Sequence, residues 1–128
     1  MYKLTFEVRD NELDAQGVVN NSNYMNYFAH TRHKYLDSIG VNFYEMATQN
    51  QMLYLIKSEI EYKKPLLANQ IFDVTCKMYQ DGIKLVFEQN IVIENEILVK
   101  SKNYGVCMDK NRNRPYIPEL IKNILKNE

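Results

Sequence analysis

The chain has no tryptophan, and only three prolines, four glycines and two cysteines among its 128 residues. Glycine and proline this sparse exclude a collagen-like or low-complexity chain. Cys76 and Cys107 form no short-spaced metal motif, and both fall in alternating, strand-like segments, as small buried residues do. A disulfide between them is not expected in a cytosolic chain. No apolar run approaches the roughly 18 residues that mark a membrane-spanning helix. Charge of one sign is also missing: 16 Lys and Arg balance 16 Asp and Glu. Without a basic excess or stripe, a nucleic-acid partner is not expected.

What is present suits one globular domain over residues 1–128: 45% hydrophobic residues for a core and 25% charged residues for a surface. There is no internal repeat and no linker. Met1 to Arg9 alternates like a strand and lacks the apolar block of a signal peptide, so a cytoplasmic protein is expected.

Tyr2 to Arg9 reads as a strand, with Leu4, Phe6 and Val8 alternating against polar neighbours. Asp10 to Asn23 is rich in Asp and Asn, contains Gly17, and reads as a long loop. Tyr24 to Ile39 reads as a helix, because Tyr24, Tyr27, Phe28, Thr31, Tyr35 and Ile39 recur at spacings of three and four. Asn20 to Asn23 supplies N-cap candidates, and Gly40 suits the position just past the helix end. Arg32 projects toward the apolar arc of this helix. Asn42 to Asn50 has room for a short helical turn.

The period then changes to two. Gln51 to Lys64, Ile71 to Gln80, Ile83 to Glu94 and Ile97 to Asp109 read as four strands, with hairpin turns at Gln80-Asp81-Gly82 and Glu94-Asn95-Glu96. Pro65 to Gln70 connects the first two strands, and Lys110 to Arg114 reads as a polar loop. Pro118 opens a last helix, Glu119 to Lys126. Strand, loop, long helix and four strands predict an α+β fold: one long antiparallel sheet wrapped around one central helix about 24 Å long.

Chemistry concentrates between Glu12 and Tyr24. Asp14 lies in an irregular loop feeding the helix N-terminus, where free backbone N–H groups gather around negative charge. Acyl transfer needs such a pairing of oxyanion donors with a nucleophile or base. Gly17 allows a tight backbone path there. On spacing alone, the aspartate reads first as a turn or capping residue.

The motif adds to this. Asp14, Gly17, Val18, Val19 and Tyr24 fit D-x-D-x-x-G-V-V-x-x-x-x-Y, with Glu12 at the first acidic position. Asn20 and Asn21 fit the variant D-x-x-G-H-V-N-N-x-x-Y, and Phe28, Arg32 and Leu36 fit F-x-x-x-R-x-x-x-L. Ile60 to Pro65 and Tyr116-Ile117-Pro118 continue the pattern. The chain thus resembles the hotdog-fold thioesterases, specifically the 4-hydroxybenzoyl-CoA thioesterase-like family of acyl-CoA thioesterases.

The resemblance implies hydrolysis of an acyl thioester of coenzyme A. Asp14 would be the nucleophile or general base, and the backbone N–H of Asn21 would polarise the carbonyl. Val18 and Tyr24 would meet the substrate. No metal or organic cofactor is implied, and a homodimer or homotetramer with interfacial sites is. Asn21 stands where many relatives carry His, and Ala29 where they often carry Glu.

Other polar residues divide by pattern. Arg32, a cation on an apolar face, is expected to pair with a carboxylate. His30 and His33 fall on the polar helix face, without ligand spacing for a metal. Glu59 and Glu61 share one strand parity and offer an alternative carboxylate, as a Glu does in another hotdog branch. Lys63 and Lys64 are candidates for the nucleotide phosphates of coenzyme A. Three alternatives stay open: an acyl-carrier-protein (ACP) thioesterase, a non-catalytic acyl-thioester-binding module, and, last, a dehydratase.

Overall fold

The computed structural model describes residues 1–126, apart from the side chain of Phe43. The chain runs β1 (Tyr2–Glu7), a 3₁₀ turn (Asp10–Glu12), α1 (Asn21–Ser38), α2 (Phe43–Thr48), β2 (Gln51–Tyr62), β3 (Ile71–Asp81), β4 (Lys84–Ile93), β5 (Glu96–Asp109), β6 (Arg114–Tyr116) and α3 (Glu119–Lys126). All strand pairs are antiparallel, in the order β1-β3-β4-β5-β2, with β6 on β5 beyond the end of β4. The expected α+β fold, a curled antiparallel sheet around one long helix, is the fold observed. The short strand β6 begins at Arg114, the last residue of the expected polar loop, and is not foreseen by the pattern; three residues carry too little alternation to register.

Helix α1 begins at Asn21, three residues earlier than its apolar stripe. The cause is Asn20, whose side chain accepts the N–H of Ser22 at 3.0 Å and caps the first turn. At the other end Gly40 takes φ +86°, and Val41 N–H reaches back to Leu36 O at 2.8 Å, closing the helix with a left-handed residue. The β4–β5 hairpin turns on Glu94 and Asn95, both at positive φ, the pattern of a type I′ turn.

The stripe predicted for α1 is the one buried: Tyr24, Tyr27, Phe28, Thr31 and Tyr35 all face the core. The helix packs on the inner faces of the strands in two apolar clusters. One joins Tyr24, Tyr27 and Phe28 to Phe72, Val74 and Ile91. The other joins Tyr35 and Leu36 to Met78, Leu85, Phe87 and Cys107. Both cysteines are free and buried, and burial pushes each thiol up to about 12.

A polar layer separates the clusters. Gln89 and Asn103, both fully buried, meet under α1. Gln89 Oε1 accepts from Asn103 Nδ2 at 3.1 Å and from Arg32 Nη1 at 3.0 Å, while its Nε2 donates to Phe28 O at 2.9 Å. Ser58 on β2 donates to Asn103 Oδ1 at 2.8 Å, so the layer runs from the helix to the sheet edge. The carboxylate expected beside Arg32 is absent among the described residues; an amide takes its place. Burial of the guanidinium pulls its pKa down.

Strand β2 is not beside β3. It crosses to the far edge, where, among the described residues, only β5 pairs with it. Its outer edge is therefore free over 12 residues and carries exposed Tyr54, Leu55, Ile56 and Tyr62. The loop leaving β2 passes over the start of α1: Val19 N–H donates to Leu66 O at 2.9 Å, and Val18 forms a bridge with Leu67.

Candidate active site

The loop between β1 and α1 is built on Glu12. Its carboxylate is buried yet fully partnered: Oε1 accepts from Arg9 N–H at 2.9 Å and Tyr27 Oη–H at 2.7 Å, and Oε2 from Arg9 Nη2 at 3.1 Å. Burial by itself raises a carboxylate's pKa; here the donors and the positive charge of Arg9 outweigh it and hold Glu12 below its ordinary value. Burial, and then the same hydrogen bond, drives the Tyr27 hydroxyl well above its ordinary value. The backbone of Glu12 works too, its carbonyl accepting from Asn20 N at 2.8 Å and Asn23 Nδ2 at 3.0 Å.

From this anchor the chain makes a small hairpin. Leu13 bridges Val19, and Asp14 N–H donates to Val18 O at 2.8 Å. The turn between them closes through Gly17 N–H to Asp14 O at 3.1 Å, with Gly17 at φ +78°. An added Cβ on Gly17 would meet nothing within 4 Å, so the glycine serves the backbone angle and not a close approach.

Asp14 sits at the tip, half-buried. Its Oδ1 accepts from Gln16 N at 2.8 Å and Val18 N at 3.4 Å, which fixes the carboxylate as a local turn does. Its Oδ2 meets no donor among the described residues. The return leg of the hairpin ends at the helix cap. There Ser22 and Asn23 N–H are taken by Asn20, whereas the N–H of Asn21 has no acceptor among the described residues. One loop thus carries an anchored carboxylate with a free oxygen and a free amide on the positive end of an 18-residue helix. At an exposed helix start that dipole favours negative charge by about 0.3–1 kcal/mol, and by more once water is excluded.

Asp14, Gly17, Val18 and Asn21 share this loop. Lys63 and Lys64 lie at its border, just before Leu66 and Leu67; Lys64 Nζ pairs with Glu96 at 2.6 Å, and Lys63 Nζ stands 4.0 Å from Glu61. Two expected substrate residues lie elsewhere. Tyr24 is buried at 2% exposure, and its hydroxyl accepts Leu66 N–H at 3.1 Å, so it holds the wall of the loop from the core side. Glu59 points to the outer face of the sheet because Ile60 takes the inward parity. It pairs there with Lys57 at 3.3 Å, and its hydrogen bond with Tyr104 is the first cause of its lowered pKa. It lines an outer groove of about 660 Å³ with Glu61, Glu88 and Lys100, which neither Asp14 nor Asn21 touches.

Sequence reasoning missed the burial of Glu12 and the polar layer of Gln89, Asn103 and Ser58. The signal for the layer was available: these residues sit at inward parities of otherwise apolar strands.

The family model of the thioesterase-like superfamily matches residues 8–125. A proposed esterase of Aquifex aeolicus is 33% identical over 115 residues, covering 90% of each chain. The chloroplastic acyl-acyl carrier protein thioesterase ATL2 of Arabidopsis thaliana is 37% identical over 119 residues, 89% of this chain and 62% of that protein. The related ATL3 is spanned to 65% of its length. Among solved structures, a hypothetical protein of Aquifex aeolicus superposes with a TM-score of 0.88 at 25% identity, covering 98% of this chain and 99% of that one. The DHNA-CoA thioesterase of Staphylococcus aureus, 20% identical and covering 98% and 89%, shares the fold with a TM-score of 0.85. No helix among the described residues is long and apolar enough to cross a membrane. The chain belongs to the thioesterase-like superfamily, with a hotdog fold, and thioester hydrolysis is its class of reaction.

Proposed function

We propose that this chain hydrolyses acyl-coenzyme A to a carboxylic acid and free coenzyme A, with Asp14 as the reacting carboxylate and Asn21 N–H as the oxyanion donor. The observation that carries the reading is the pair of unused groups on one braced loop: Asp14 Oδ2 and the N–H of Asn21. With the substrate carbonyl oxygen on Asn21 N–H, the carbonyl carbon is activated toward attack. Asp14 either adds to that carbon, expelling the thiolate and leaving an anhydride that water opens, or takes a proton from water as water adds. Either course ends with the acid, the protonated thiol and a regenerated carboxylate. Gly17 and Val18 shape the tip, and Lys63 and Lys64 offer charge for the nucleotide phosphates.

The free β2 edge supports a homodimer, the unit from which a homotetramer is built. An unpaired strand of this length, bearing apolar side chains, recruits a second copy. Such pairing covers the open flank beside α1 and completes the site across the interface. We place the protein in the cytoplasm, in lipid metabolism. A second reading, hydrolysis of acyl groups carried on ACP, is favoured by the similarity to ATL2; that carrier presents the same pantetheine thioester.

The test is thiol release from acyl-CoA and acyl-ACP at matched chains, with wild type and Asp14→Asn. The substitution keeps an Oδ1 acceptor for Gln16 and Val18, so the fold persists while kcat falls by about a hundredfold or more. An unchanged kcat removes Asp14 from the chemistry. Thioester binding without hydrolysis by either protein supports a non-catalytic module.

A further inference from the structure

Arg32 is a buried cation with an incompletely used fork. It is 7% exposed, and its hydrogen bond to Gln89 occupies Nη1 alone. Nε and Nη2 meet no acceptor among the described residues. Nor are they sealed in: the only side-chain polar atom there that is both shut from solvent and without a partner is the Tyr116 hydroxyl. The two nitrogens therefore open onto accessible space. Arg32 also lines a cavity of about 110 Å³ between α1 and β2, with His33, Leu53, Leu55, Phe87 and Gly105. Cys76 feels the guanidinium charge but is no counter-ion, since burial keeps its thiol protonated.

Arg32 shares one side of α1 with Asn21. At about 100° per residue, Asn21, Met25, Ala29 and Arg32 fall within a quarter-turn of α1. Met25 and Ala29 are only partly buried, so this flank is not filled by the sheet. Along the axis Arg32 lies about 16 Å from Asn21, and its side chain leans back toward the helix start.

We propose that Arg32 determines specificity by receiving a carboxylate at the far end of a medium-length acyl chain, so that the preferred substrates are half-thioesters of dicarboxylic acids. This rests on the thioesterase reading above. The apolar walls suit methylenes, and the free edge of the guanidinium suits two carboxylate oxygens. An arriving anion also supplies the counter-charge that Arg32 lacks among the described residues.

The experiment compares kcat/KM for octanoyl- and suberyl-CoA, decanoyl- and sebacyl-CoA, and dodecanoyl- and dodecanedioyl-CoA. Wild type is expected to favour the half-thioester at one or more lengths by about ten- to a hundredfold, the worth of hydrogen bonds to a charged group, and to do so through KM. Arg32→Met and the cavity-filling Leu53→Phe should each bring the ratio toward one, with Arg32→Lys keeping part of it. Circular dichroism melts confirm that each variant is folded. No preference in wild type, or a preference surviving both substitutions, overturns the proposal. Calorimetry with free suberate and sebacate against octanoate and decanoate reads the subsite without hydrolysis: diacid binding lost in Arg32→Met supports it, and no diacid binding by wild type overturns it. If wild type cleaves no thioester yet binds diacids through Arg32, the thioesterase reading fails while the subsite stands.

Discussion

Tyr27 donates its hydroxyl to the buried carboxylate of Glu12 across 2.7 Å, tying α1 to the loop that carries Asp14. Tyr27→Phe leaves the ring packing and removes this bond to a charged acceptor. We expect a loss of about 1–3 kcal/mol in urea unfolding. The pH dependence has a definite sign. Glu12 is held below its ordinary value of 4.5 in the fold, so its contribution is present above that value and fades as pH falls through the folded pKa. The stability gap between wild type and Glu12→Gln should therefore be widest near neutrality and close in acid; a gap that widens toward acid contradicts this.

Gly17 positions the carboxylate through its backbone angle alone. Gly17→Ala meets no steric obstacle, so its cost is conformational, about 1–2 kcal/mol. Gly17→Asn, which tolerates positive φ better, should recover much of both stability and kcat. Equal damage from the two would point to a role other than backbone conformation.

The free β2 edge predicts assembly. Wild type should run in light scattering at a multiple of the 15.2 kDa chain mass. Placing charge on the exposed apolar run, as Tyr54→Asp with Ile56→Asp, should yield monomer and lose most hydrolysis. A fully active monomer would mean that one chain completes the site.

Gln89 and Arg32 form one unit in the core. Gln89→Leu strands the guanidinium and should cost about 1–3 kcal/mol or more. Adding Arg32→Met removes the stranded charge, so the double variant should lose less than the sum of the single losses. Additive losses would show that the two side chains act independently.

The sequence alone determined the elements and their faces. Apolar spacing in Tyr24, Tyr27, Phe28, Thr31 and Tyr35 marked the buried side of α1, alternation marked the longer strands, and the run Asn20 to Asn23 bracketed the helix start while Gly40 marked its end. The motif around Asp14 and Gly17 marked the loop, because a turn of that shape draws on local residue chemistry. Only the tertiary structure decided which elements meet. Alternation fixes the face a residue takes but not the neighbour of its strand, so β2 pairing with β5 and the free edge it leaves were not written in any one segment. Which polar groups are already satisfied was equally hidden. Tyr24 is used by Leu66, Glu12 by Tyr27, and Arg32 in part by Gln89, through contacts between residues well separated in sequence. Hydrogen-bond capacity left over for a substrate is a property of the packed chain, and it emerges only once every other partner has been placed.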